Sequence, residues 1–182
     1  GKICNCEFLE KFEQPVSLRF IMSGVDLNRF SNWLKDFDTD KSVTTIEDID
    51  DEIHLSTACT WDNGKKWALT PLFEDAVAKG VLKDNDRNYF QIFTIAGMPD
   101  AIAFNCPRIV EKLDYTKTLQ NARQSILRIS NFCNMYLPGF EKAYISNIAD
   151  MLGVRVSNRI KGKYIYTIDD LKYDKKFTNP VV

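Results

Sequence analysis

The sequence predicts an α+β fold: an antiparallel sheet with helices packed on one side, ending in a helical hairpin followed by a β-hairpin. Three observations lead there. Tyr89 to Ala96 and Ala101 to Asn105 are β-rich runs that flank the turn formers Gly97-Met98-Pro99-Asp100, the pattern of a hairpin. Two stretches, after Asp26 and from Lys117, repeat apolar residues at helical spacing. A β-type alternation returns in Val154 to Thr167 (VRVSNRIKGKYIYT), which reads as strand, turn, strand.

The remaining elements follow in chain order. Val16 to Met22 (VSLRFIM) reads as a strand that Ser23-Gly24 ends. Asp26 caps a helix whose buried stripe is Leu27, Phe30, Trp33, Leu34 and Phe37. Trp61 and Trp67 bracket Asp62-Asn63-Gly64, which predicts a second hairpin with the aromatics packed across strands. Thr70 as N-cap, Pro71 at the first helical position and Gly80 as the stop mark a short helix. Leu119, Ala122, Ile126, Ile129 and Cys133 define one face of a long helix, Lys117 to Tyr136, from which Arg123, Gln124 and Arg128 are displaced. Pro138-Gly139 separates it from a predicted partner helix, Phe140 to Leu152, with Phe140, Ala143, Tyr144, Ile148 and Leu152 inward and Gly153 as its end. Ile168-Asp169-Asp170 opens a short final segment.

Neither repeat, low-complexity tract nor flexible linker divides the chain, so one domain over residues 1–182 is expected. A chain of 182 residues buries roughly 70% of its unfolded surface. Hydrophobic residues at 45% and charged residues at 27% match a folded globular protein. The 25 acidic and 24 basic side chains nearly cancel and form no Lys/Arg block, which argues against a nucleic-acid partner. No apolar run reaches the ~20 residues of a membrane span, and GKICNCEFLEKF lacks a signal-peptide layout, so a soluble, cytoplasmic chain is expected.

Five cysteines, Cys4, Cys6, Cys59, Cys106 and Cys133, are scattered among apolar neighbours and suit reduced thiols better than a disulfide framework. A zinc site wants about four ligands, and His54 is the one histidine available, within an alternating stretch that reads as strand. No metal is therefore expected. The alternative is an EF-hand-like calcium loop from Asp36 to Glu47, with Asp36, Asp38, Asp40 and Glu47 as carboxylate ligands; Lys41 stands where such loops need glycine. The Glu47-to-Glu52 stretch that follows is crowded with carboxylates and reads as a solvated loop. The motifs GxGxxG, GxxxxGK[ST], HExxH and GxSxG do not occur in the sequence.

The C-terminal part carries a family likeness. Leu137-Pro138-Gly139-Phe140-Glu141, Ala143-Tyr144, then Leu152-Gly153-Val154-Arg155, Ser157, Arg159-Ile160, Gly162, Tyr164, Thr167 and Asp169-Asp170 resemble the FAD-dependent oxidoreductase family. Upstream, Gln14-Pro15, Leu18, Phe20, Gly24-Val25-Asp26 and Phe104-Asn105 with Arg108 resemble further stretches of the same family. The likeness departs at Val156, where an acidic residue is usual, and at Asn158, where an arginine is usual.

The resemblance implies the substrate-side or cap domain of a larger flavoprotein, with FAD bound by another domain of the same chain and no cofactor on this part. This part alone is then catalytically incomplete, and no side chain is singled out as catalytic. Arg155, Ser157 and Arg159 alternate with period two and would share a strand face, where guanidinium groups hold a small polar or anionic substrate. Their alternative role is a latch to Glu141, Asp169 or Asp170. Two other functions stay open: a binding module built on the calcium-type loop, and a purely structural interaction domain.

Overall fold

Alternation along the central strands decides the architecture. The computed structural model describes residues 7–9, 14–59, 67–87, 89–109, 114–155 and 159–177. It divides into two units: Pro15–Arg155, and Gly1–Gln14 with Val156–Val182.

In Pro15–Arg155 the strands are β1 (Val16–Ser17), β2 (Phe20–Ser23), β3 (Thr44–Ile49), β4 (Glu52–Cys59), β5 (Phe90–Ile95), β6 (Met98–Phe104), β7 (Arg108–Ile109) and β8 (Tyr144–Ile148). Six of them form one sheet in the order β3-β4-β5-β6-β2-β8, and every neighbouring pair is antiparallel. Phe20 pairs with Phe104, Phe104 with Ile92, Ile92 with Thr57, and Met22 with Ile102, so these side chains share one face with Leu55 and Phe90 and are buried there. The helices α1 (Leu27–Phe37), α2 (Thr70–Ala78) and α3 (Tyr115–Tyr136) contribute to the same core. Phe73 of α2 and Phe132 of α3 lie 5.1 and 6.5 Å from the Phe90 ring, and Phe30 of α1 meets Phe140 edge-on at 4.9 Å.

Cys106 and Cys133 are free thiols in this core, and burial pushes Cys106 up to about 12 and Cys133 well above the usual thiol range. Such thiols are inert rather than nucleophilic.

Local signals set most helix boundaries. Asp26 accepts from the Arg29 N–H and Asp114 from the Lys117 N–H, capping α1 and α3. Thr70 is the first residue of α2 rather than its cap; Leu69 holds that position without a side-chain bond, because Pro71 leaves the first turn one donor fewer. Gly80, at φ +73°, ends α2 as expected. The β5–β6 hairpin is tighter than the sequence suggested. Ile95 pairs with Met98, leaving Ala96-Gly97 as the turn, and Pro99 is accommodated next to a register shift at Thr94/Ile95.

Two expectations for the C-terminal part are corrected. The helix predicted over Phe140 to Leu152 is absent, and Tyr144–Ile148 is instead strand β8, an edge strand on β2. Phe140 and Ala143 are buried in the turn before it, while the β-branched Ile145 and Ile148 pack against the core from the strand, so the apolar spacing fits both periods and pairing with β2 decides. Gly139 fixes that turn: its φ is +93°, and a Cβ there would stand 2.5 Å from the Asp26 carbonyl oxygen. The β-hairpin predicted over Val154 to Thr167 is also absent among the described residues, where single bridges join Ser17 to Gly153 and Phe8 to Ile160. Of the predicted Trp61–Trp67 hairpin, Trp67 is described, buried against Phe73 and Phe90; residues 61–66, Cys4, Cys6 and Ser157 lie outside the described residues.

The second unit is organised around α4 (Ile168–Lys172). Thr167 and Asp170 close a capping box, the Tyr164 hydroxyl donates to Asp170 Oδ1 at 2.5 Å, and Lys175 Nζ lies 3.3 Å from the same carboxylate. Leu9 N–H donates to the Arg159 carbonyl and Lys161 N–H to the Glu7 carbonyl on either side of the Phe8–Ile160 bridge. Among the described residues, no helix is long and apolar enough to cross a membrane.

Candidate functional site

A row of polar side chains crosses the end of the main sheet on the face opposite the aromatic core. Phe20, Phe104 and Ile92 point into the core, so the adjacent Arg19, Asn105 and Gln91 turn to the other face. Arg19 Nε donates to Asn105 Oδ1 at 3.0 Å, and Asn105 Nδ2 donates to Gln91 Oε1 at 2.7 Å. The Tyr89 hydroxyl donates to the same Gln91 oxygen at 2.6 Å, and the Arg108 guanidinium lies 3.3 Å from the centre of the Tyr89 ring. Five residues from four segments thus form one continuous relay with a guanidinium at each end. Neither guanidinium pairs with a carboxylate among the described residues. Along the same face the next row is Phe93, Ala103 and Ile21, joined by register and half-buried.

Arg155 belongs to the same end of this unit by topology. Gly153, two residues earlier, bridges to Ser17, and Ser17 pairs on its other side with Arg108. Arg155 and Arg159 are both exposed. No strand forms at Val154, Arg155 or Arg159, so the shared strand face expected for the Arg155, Ser157 and Arg159 set is not formed at its two described members. The acids of the alternative latch have other partners: Glu141 pairs with Arg29 at 3.0 Å, Asp169 with Lys172, and Asp170 with Lys175.

The calcium-type loop is used differently from an EF-hand. Asp38 is buried, and its Oδ2 accepts from Thr44 Oγ1 at 2.6 Å and from Trp67 Nε1 at 3.2 Å. Asp40 Oδ1 accepts from Ser42, and Glu47 sits in β3 opposite His54. The chain enters a strand at Thr44, where an EF-hand continues into its second helix. No group of three or more His, Cys, Asp or Glu side chains is arranged to hold a metal among the described residues.

Asn105 and Arg108 carry part of the family likeness without a role attached to them, Arg19 lies in the strand predicted over Val16 to Met22, and Tyr89 and Gln91 in the one that starts at Tyr89. The available signal was the alternation itself: in Tyr89-Phe90-Gln91-Ile92 and Phe104-Asn105 each polar residue faces away from a core aromatic or aliphatic one.

The fold and this site define an α+β module with an antiparallel sheet and an arginine-ended polar row. The family model described as FAD dependent oxidoreductase matches residues 7–182, and the chain belongs to that family. No curated protein and no solved structure matches the chain.

FAD itself does not fit the described residues in the usual way. A flavin dinucleotide presents a pyrophosphate that proteins hold on free N–H groups at a helix N-terminus after a parallel strand. Here α1 and α3 begin under the carboxylates of Asp26 and Asp114, which repel phosphate. In α2, Pro71 has no N–H, and the Leu72 and Phe73 N–H groups are already bonded to Leu69. The N-termini of α1, α2 and α3 therefore offer no seat for the pyrophosphate.

Proposed function

We propose that this chain is the substrate-side domain of a FAD-dependent oxidoreductase, working with a FAD-binding domain of the same polypeptide. The observation that carries the reading is the antiparallel sheet with acid-capped helices, found in a chain of a FAD-dependent family. In this division the redox chemistry comes from FAD, and the domain's own residues bind and orient the substrate. Cys106 and Cys133, free and buried, support a reducing cytoplasmic setting.

The substrate is a small polar or anionic molecule, and Arg155, Ser157 and Arg159 hold it. The support is their match to the family segment and the bridge from Gly153, two residues before Arg155, to Ser17, which pairs with Arg108. A guanidinium keeps its charge and donates in a fork, which suits a carboxylate.

In the full-length flavoprotein, Arg155→Gln and Arg159→Gln should each lower kcat/KM by about tenfold or more while the flavin content stays unchanged. Steady-state kinetics that return wild-type values for both variants contradict the assignment.

A further inference from the structure

The relay on the open sheet face has features that a purely structural network does not need. Asn105 and Gln91 bond to each other and to Arg19 and Tyr89, so they fix the two guanidinium groups rather than satisfy a buried charge. Arg19 donates to Asn105 through Nε, which leaves the two terminal nitrogens of its fork, and Arg19 is exposed. Arg108 lies over the ring of Tyr89, whose own position is set by its bond to Gln91. Both cations lack an acidic partner among the described residues, in contrast to Arg128, which is paired with the buried Asp86 at 2.6 Å. Beside the polar row, Phe93, Ala103 and Ile21 make an apolar floor two residues further along the same three strands. A pre-positioned cationic edge next to an apolar floor matches a ligand with an anionic head and an apolar body.

We propose that Arg19, held through Asn105 and Gln91, forms a carboxylate subsite, that Arg108, held on Tyr89, adds positive charge at the other end of the row, and that Phe93, Ala103 and Ile21 receive the ligand's apolar body. The proposal rests on the substrate-side reading above and names its substrate class: a small carboxylic acid with an apolar chain. Arg19 and Arg108 are binding residues here, and Asn105, Gln91 and Tyr89 are positioning residues.

The test uses the 182-residue chain and hexanoate as the probe, with hexanol and sulfate as controls. Calorimetry should show saturable hexanoate binding, with hexanol and sulfate each bound more weakly because one lacks the charge and the other the apolar body. Arg19→Gln should weaken hexanoate binding by roughly 10- to 100-fold, as expected when a hydrogen bond to a charged group is lost, and Arg108→Gln by a smaller factor. Arg19→Lys keeps the charge without the fork and should fall between wild type and Arg19→Gln. Nitrogen NMR of the arginine Nε–H groups supplies a readout on the unaltered chain: hexanoate should shift the Arg19 and Arg108 signals and leave that of Arg128 in place. Absence of hexanoate binding, equal affinity for sulfate, or wild-type affinity in both glutamine variants overturns the subsite. These measurements need no flavin, so their failure is separate from a failure of the flavoprotein reading.

Discussion

In Pro15–Arg155, Phe20, Phe30, Phe73, Phe90, Phe104, Phe132 and Phe140 are each 1% exposed or less, whereas in Val156–Val182 Tyr164, Tyr166, Leu171 and Tyr173 are 48%, 57%, 66% and 81% exposed. The first unit has ring upon ring in contact across the sheet and two helices. The second is held by a small set of polar bonds around one carboxylate. The Tyr164 hydroxyl, foremost, and then Thr167 draw the Asp170 carboxyl well below its usual range. The sign follows from that direction: the cap is intact above the ordinary carboxylate range and is lost only as the pH falls through the lowered native value. Stability by burial and local order by hydrogen bonding are therefore separated along the chain, and substitutions should report the separation.

The largest effect is expected at Phe90, which touches α2, α3 and the neighbouring strand. Phe90→Ala should cost about 3–5 kcal/mol in chemical denaturation, from lost transfer energy and the cavity left behind. The matched change in the other unit, Tyr166→Ala, should stay within about 0.5 kcal/mol, as for an exposed position. Equal costs at the two sites would break the comparison. A smaller effect sharpens it: Thr167→Ala removes the capping-box hydroxyl and should cost α4 about 1 kcal/mol. Amide exchange should quicken over Ile168–Lys172 and not over α3.

The sequence already carried the strands around the Gly97 turn, the cap at Asp26 and the long helix α3, because each rests on a local rule. Tyr144–Ile148 was misread because Phe140, Ala143, Tyr144 and Ile148 satisfy helical spacing while the deciding fact, an open edge on β2, is non-local. The hairpin read from Val154 to Thr167 fails for a similar reason: alternation alone does not supply the partner that a ladder needs. For the candidate site, Asn105 and Arg108 were visible as matched family positions, and Arg19 only as a strand residue. Their convergence with Tyr89 and Gln91 depends on the register of β2, β6 and β5, which no single segment encodes.

The proposed division of labour between this chain and a FAD-binding domain is tested most directly by where flavin binds. Gel filtration with added FAD, read by visible absorbance, should show the full-length polypeptide carrying flavin and the 182-residue chain eluting without it. Flavin retained in equal molar amount by the 182-residue chain alone would contradict the account.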